Sequence, residues 1–107
     1  MKKTYKIVLV FISIGFFIQT FAQTTKLMTF NIRYANSTDG ENSWNYRKKE
    51  LTDLIKYYHP DIFGLQEALP VQVNYIKNEL RDYQFFSMGR EPGNTGEATP
   101  IYYNPLK

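Results

Sequence analysis

Between residues 26 and 33 the side chains alternate. Met28, Phe30 and Ile32 fall on one side, and Leu27, Thr29 and Asn31 on the other. A period of two is the pattern of a strand with one covered face. The alternation stops at Tyr34. Asn36, Ser37, Thr38, Asp39, Gly40 and Asn42 are turn formers and predict a loop up to Ser43. The period then changes. Leu51, Leu54, Ile55 and Tyr58 recur at i, i+3, i+4 and i+7, the buried stripe of an amphipathic helix. Ser43 or Asn45 caps its start, and Pro60 ends it, because a residue before proline is pushed out of the helical region. Asp61 to Gln66 is a short apolar run suited to a central strand. Pro70 fits the first turn of a second helix, with Val73, Ile76 and Leu80 on its inner face. Tyr83 to Met88 predicts a third strand, Gly89 to Ala98 a loop with Pro92, Gly93 and Gly96, and Thr99 to Tyr103 a fourth strand. The order β-α-β-α-β-β is that of an α/β layered domain with helices packed on a sheet.

The first 22 residues stand outside this pattern. Lys2, Lys3 and Lys6 form a basic start, Ile7 to Ile18 an apolar run, and Thr20-Phe21-Ala22 a small-residue cleavage site. Together they predict a secretory signal peptide cleaved after Ala22, and hence a secreted or periplasmic protein without a stable membrane anchor. The apolar run is too short to span a membrane comfortably. Removal of this segment changes the charge. It holds three of the 13 basic residues and none of the ten acidic ones, so residues 23–107 are neutral. The formal charge of +3 therefore belongs to the signal, and charge does not support nucleic acid as a partner. There are no cysteines, which excludes disulfides and thiolate metal sites. Residues 23–107 amount to one small domain, of a size at which packing alone is marginal.

Two strands end in polar residues with ligand oxygens. Met28-Thr29-Phe30-Asn31-Ile32-Arg33 carries Asn31, and Pro60-Asp61-Ile62-Phe63-Gly64-Leu65-Gln66-Glu67 carries Glu67. Side by side, these strands would bring Asn31 and Glu67 together at one sheet edge, the beginning of a site for a hard divalent cation. Taken alone, Glu67 reads equally as a solvated carboxylate or as a first-turn glutamate favoured by a helix dipole. Asn31 alone reads as a turn former closing a strand. The two segments together, with Trp44 and Arg47 at the head of the first helix and Gly96-Glu97-Ala98-Thr99-Pro100-Ile101-Tyr102-Tyr103, resemble the endonuclease/exonuclease/phosphatase superfamily. The resemblance covers nearly all of residues 23–107 and corresponds to the N-terminal part of a four-layer αββα sandwich.

By that resemblance Glu67 would bind a catalytic Mg²⁺ or Mn²⁺. Asn31 would lie beside it as an active-site residue contacting metal or phosphate, and the substrate would be a phosphate ester. Mg²⁺ suits such a site, since it takes one or two carboxylates and keeps water and substrate phosphate in its other positions. Arg33 reads either as a fork for substrate phosphate or as a surface arginine. Arg47 reads as a stacking partner of Trp44 or a tie between loop and helix, and Glu97 as a loop carboxylate near the site mouth.

The family's Asp general base, its Asp-His pair and its Asp-x-Asn motif have no counterpart in this sequence. His59, the only histidine, falls at the end of the first helix. Two readings stay open: a phosphoesterase represented by its N-terminal part, or a non-catalytic piece that pairs with a partner carrying the remaining part of the domain. An unrelated α/β binding module is disfavoured by the paired motifs.

Overall fold

A computed structural model describes residues 22–107. The signal-peptide reading lies outside the described residues, Ala22 apart. Among the described residues no helix is long and apolar enough to cross a membrane. The chain is mixed α/β. Strand β1 (Leu27–Asn31) leads through a 3-10 segment (Ser37–Asn42) into helix α1 (Trp44–Tyr58). Strand β2 (Ile62–Gln66), helix α2 (Pro70–Glu79) and strand β3 (Gln84–Phe86) follow. The hairpin of β4 (Gly89–Glu91) and β5 (Thr95–Ala98) comes next, and β6 (Ile101–Tyr103) is the last element.

The main sheet runs β1-β2-β6-β3, with β1 and β2 parallel and the other pairs antiparallel. Its alternation decides what is covered. Phe63, Leu65 and Tyr102 are buried on one face, with Met28, Phe30 and Phe85 packed at the margin of the same core. Phe63 stacks on Tyr102 with ring centroids 4.7 Å apart, and Phe85 extends the stack at 5.4 Å. Both helices contribute to this core: Trp44, Leu51 and Ile55 from α1, and Val73 and Ile76 from α2, with Leu80 at its C-cap. Trp44 meets Tyr75 edge-on at 5.7 Å and joins the helices. Among the described residues nothing covers the opposite sheet face. Leu27, Ile62, Phe86, Ile101 and Tyr103 are exposed on it, beside Thr29, Asn31 and Gln84.

The predicted strands and helices all form, with two differences. The predicted stripe of α1 is rotated: Trp44, Leu51, Thr52 and Ile55 are buried, while Leu54 and Tyr58 are exposed. Thr52 tolerates burial because its hydroxyl donates back to the Lys49 carbonyl at 3.0 Å. The predicted loop from Gly89 to Ala98 is the β4–β5 hairpin, so the order gains two strands. Its turn closes because Gly93, Asn94 and Gly96 all take positive φ, and Thr95 Oγ1 donates to the Pro92 carbonyl at 3.1 Å. Helix α1 ends one residue before His59, which adopts a left-handed conformation (φ 45) and donates its N–H to Ile55 O. Lys26 Nζ satisfies the Tyr58 carbonyl at 2.9 Å, a cation at a helix C-terminus.

Candidate active site

Parallel pairing sets Asn31 opposite Gln66, so Asn31 and Glu67 emerge at the same sheet edge. Asn31 Nδ2 donates to Glu67 Oε1 at 2.9 Å. The Arg33 N–H donates to Asn31 Oδ1, also at 2.9 Å. The asparagine amide is thereby oriented, its oxygen on the backbone and its nitrogen on the carboxylate. Among the described residues Glu67 Oε2 receives only a long approach from the Tyr34 N–H at 3.4 Å, which leaves it a direction open to a ligand. Glu67 and Arg33 both have left-handed backbones, at φ 60 and φ 55. Such conformations cost about 1–3 kcal/mol each in non-glycine residues and concentrate at functional sites.

Buried Gln72 fixes the chain leaving β1. Its Oε1 accepts from the N–H groups of Leu69 and Ala35, each at 3.0 Å, and its Nε2 donates to the Arg33 carbonyl at 2.9 Å. Arg33 itself is gripped from the side. Its Nε and Nη2 both donate to Asp39, each at 2.7 Å, and this bond holds the Asp39 carboxyl below the usual carboxylate range while raising the guanidinium. Arg47 lies with Cζ 5.9 Å from the Trp44 ring centre and donates to the carbonyls of Ile32 and Asn42. It thus does both things proposed for it, stacking on the helix and tying the loop down.

Residues 28–105 match the model of the Endonuclease/Exonuclease/phosphatase family. The chain belongs to this family. It is 39% identical to a solved endonuclease/exonuclease/phosphatase from Bacteroides vulgatus, with a TM-score of 0.76, over 79% of this chain and 33% of that one. It is 30% identical to a mannosyl-6-phosphatase of Bacteroides thetaiotaomicron, with a TM-score of 0.73, over 78% of this chain and 33% of that one. It is 25% identical to a humanized D. rerio TDP2, with a TM-score of 0.62, over 78% of this chain and 33% of that one. The chain therefore spans about a third of the length of these family structures. No curated protein matches it.

Within this family member, the structure unites Asn31 and Glu67 and distributes the other candidates around them. His59 caps α1 on the backbone and takes no part in the Asn31–Glu67 contact network. Arg33 has spent two of its donors on Asp39. Glu97 lies on β5 rather than in a loop, and shares a cleft of about 290 Å³ with Glu67, Met88, Arg90, Ala98 and Thr99. Gln72, Asp39 and Arg90 were not singled out from the sequence. Gln72 had a signal, a glutamine in the first turn after Pro70, a position from which it can reach back to the helix start. Among the described residues no three His, Cys, Asp or Glu side chains cluster. The donor on hand, one open carboxylate oxygen whose partner oxygen is held by the Asn31 amide, fits a hard cation that keeps water and substrate in most positions. It does not fit a closed protein cage.

Proposed function

We propose that the chain is the Glu67-bearing part of an exported, Mg²⁺- or Mn²⁺-dependent phosphoesterase that hydrolyses phosphomonoester or phosphodiester bonds. The observation that carries this reading is the 2.9 Å bond by which Asn31 orients the Glu67 carboxylate beside an open oxygen. Glu67 would hold the cation, and Asn31 would position Glu67 and face the metal or the phosphate. The bound cation would supply charge stabilisation at a phosphoryl oxygen. The backbone from Arg33 to Ala35, pinned by Asn31 and Gln72, keeps that edge in place. The similarity to a mannosyl-6-phosphatase supports a phosphate ester as substrate.

A second reading is favoured by the open sheet face. Leu27, Ile62, Phe86, Ile101 and Tyr103 form a surface suited to another polypeptide layer, and among the described residues β1 and β3 are the sheet's edges. In this reading the chain is non-catalytic alone and pairs with a partner bearing the rest of the domain, including the acid and base that hydrolysis requires.

One experiment addresses both. Mn²⁺ binding to the chain is followed by electron paramagnetic resonance, alongside turnover of bis-nitrophenyl phosphate. Glu67→Gln should abolish binding, and Asn31→Ala should weaken it by about tenfold, the scale of a lost orienting partner. Equal Mn²⁺ binding by wild type and Glu67→Gln would defeat the metal-site assignment. Turnover is expected to equal that of a Glu67→Ala control. Turnover abolished by that substitution would defeat the non-catalytic reading.

A further inference from the structure

Three arginines stand near the site, and their donors are used differently. Arg33 gives Nε and Nη2 to Asp39 at 2.7 Å. Arg47 gives Nε and Nη1 to backbone carbonyls, and its Nη2 is buried without a hydrogen-bond partner. Arg90 is different. Among the described residues it is the only cation lining the Glu67 cleft. Its Nε is 3.7 Å from Glu91 and its Nη1 is 3.7 Å from Glu97. Both separations are longer than hydrogen bonds, so the guanidinium is held by charge and its donors are not consumed.

The hairpin that carries Arg90 is built to fix its position. A Cβ on Gly89 would lie 2.2 Å from the Thr95 carbonyl oxygen, so only glycine lets the strands approach there. Gly96 has φ 76, and a Cβ on it would lie 2.6 Å from Glu91 Cγ. At the hairpin's base Ala98 exchanges two backbone bonds with Ala68, at 2.8 and 3.1 Å. Ala68 directly follows Glu67, so β5, which pairs with the strand carrying Arg90, is tied to the residue next to the proposed metal ligand.

We propose that Arg90 grips the anionic phosphate group of the substrate, with Glu97 holding the guanidinium over the cleft until that group arrives. The shared chemistry is a terminal phosphate, whether on an ester or free. A planar guanidinium with unspent donors matches two non-bridging phosphate oxygens. Charge sets the order of events. Glu67 and Glu97 outnumber Arg90 in the cleft, which disfavours an anion until a divalent cation offsets the carboxylates. Phosphate binding is therefore stronger with metal than without it. This inference rests on the phosphoesterase reading and deepens it.

The test is calorimetric titration of the purified chain with inorganic phosphate and with phenyl phosphate, each with and without Mg²⁺. Amide spectra check that each variant is folded. Arg90→Ala should weaken phosphate binding by about tenfold to a hundredfold, the range for losing charge-assisted hydrogen bonds. Arg90→Lys should recover part of the loss. Arg81→Ala, which removes the same charge far from the cleft, should change nothing. Glu97→Gln should tighten binding by removing the competitor. Tighter binding of phenyl phosphate than of phosphate assigns the ester as the preferred source, and the reverse assigns the free ion. Equal affinity in wild type and Arg90→Ala would overturn the proposal, as would an equal loss in Arg81→Ala or undetectable phosphate binding by wild type. A loss in Glu97→Gln as large as that in Arg90→Ala would overturn the standby role of Glu97. Arg90-dependent phosphate binding that Mg²⁺ and Glu67→Gln leave unchanged would defeat the metal reading while Arg90 stands.

Discussion

Replacing Gln72 should damage both stability and the site, although Gln72 carries no charge and is fully buried. Its side chain satisfies three backbone groups: the Leu69 and Ala35 N–H groups at 3.0 Å and the Arg33 carbonyl at 2.9 Å. Gln72→Leu keeps most of the volume and removes all three bonds. Each buried group left unsatisfied costs about 1–3 kcal/mol. Ala35 is only half-buried, so water can reach part of the gap. The expected loss is roughly 3–6 kcal/mol, a large share of the ~5–15 kcal/mol that holds a domain together. Urea unfolding followed by circular dichroism measures it, and amide exchange at Ala35 and Leu69 reports the local bonds. Gln72→Glu separates the parts, because a carboxylate still accepts both N–H groups but faces the Arg33 carbonyl without a proton to give. It should fall between wild type and Gln72→Leu. Mn²⁺ affinity should also drop in Gln72→Leu, since the Arg33–Ala35 backbone that flanks Glu67 loses its anchor. Gln72→Leu within about 0.5 kcal/mol of wild type, with Ala35 exchange unchanged, would refute this account and make Gln72 a space filler.

Acid should destabilise the chain through its aspartates. Asp39 is held low chiefly by the Arg33 hydrogen bonds, and Asp61 chiefly by the Lys26 backbone N–H at 2.8 Å. Groups with depressed folded values contribute stability that is present above their unfolded value near 4 and is lost as pH falls through the folded value. Melting temperature should therefore drop steeply below about pH 4, and Asp39→Asn should flatten that drop; an unaltered acid profile in Asp39→Asn would exclude the pair as its source. Export is tested by N-terminal sequencing after expression in a Gram-negative host. Gln23 is the expected first residue, and an intact Met1 would refute the signal-peptide reading.

Where one periodicity dominated, the sequence sufficed. The covered and open faces of β1 could be read from Leu27 to Ile32, and the inner face of α2 from Val73, Ile76 and Leu80. The stripe of α1 was misread because two residues resembled core and one did not. Leu54 and Tyr58 are apolar yet exposed, while Thr52 is buried because a helix carbonyl satisfies its hydroxyl. Hydropathy carries no trace of that bond. The β4–β5 hairpin was hidden for another reason. Its strands are Gly-Arg-Glu and Thr-Gly-Glu-Ala, too short and polar to show a period. What forms it is the left-handed turn at Gly93 and Asn94 and the close approach at Gly89, which are properties of the backbone. The contact between Asn31 and Glu67 was legible because Asn31 ends β1 and Glu67 follows β2. The contacts of Asp39 and Arg90 were not, since Asp39 meets Arg33 across a loop and Arg90 meets Glu97 across the hairpin.

The placement of the site follows from strand direction. In a parallel pair both carboxyl ends lie at one edge, and binding sites of α/β sheets gather outside that edge. Asn31 closes β1 and Glu67 follows β2, so parallel pairing alone brings them together. The antiparallel strand β6 enters from the same edge: the Leu65 N–H donates to the Pro100 carbonyl at 3.0 Å, just before β6 begins. Whatever precedes β6 must therefore arrive beside Glu67, and the chain places the β4–β5 hairpin there, bringing Glu97 and Arg90 into the cleft. The left-handed turns at Arg33 and Glu67 lead β1 and β2 out of the sheet at this edge. Had β2 run antiparallel to β1, Glu67 would lie at the opposite edge from Asn31. Neither the oriented carboxylate nor the cleft it shares with Arg90 would then exist.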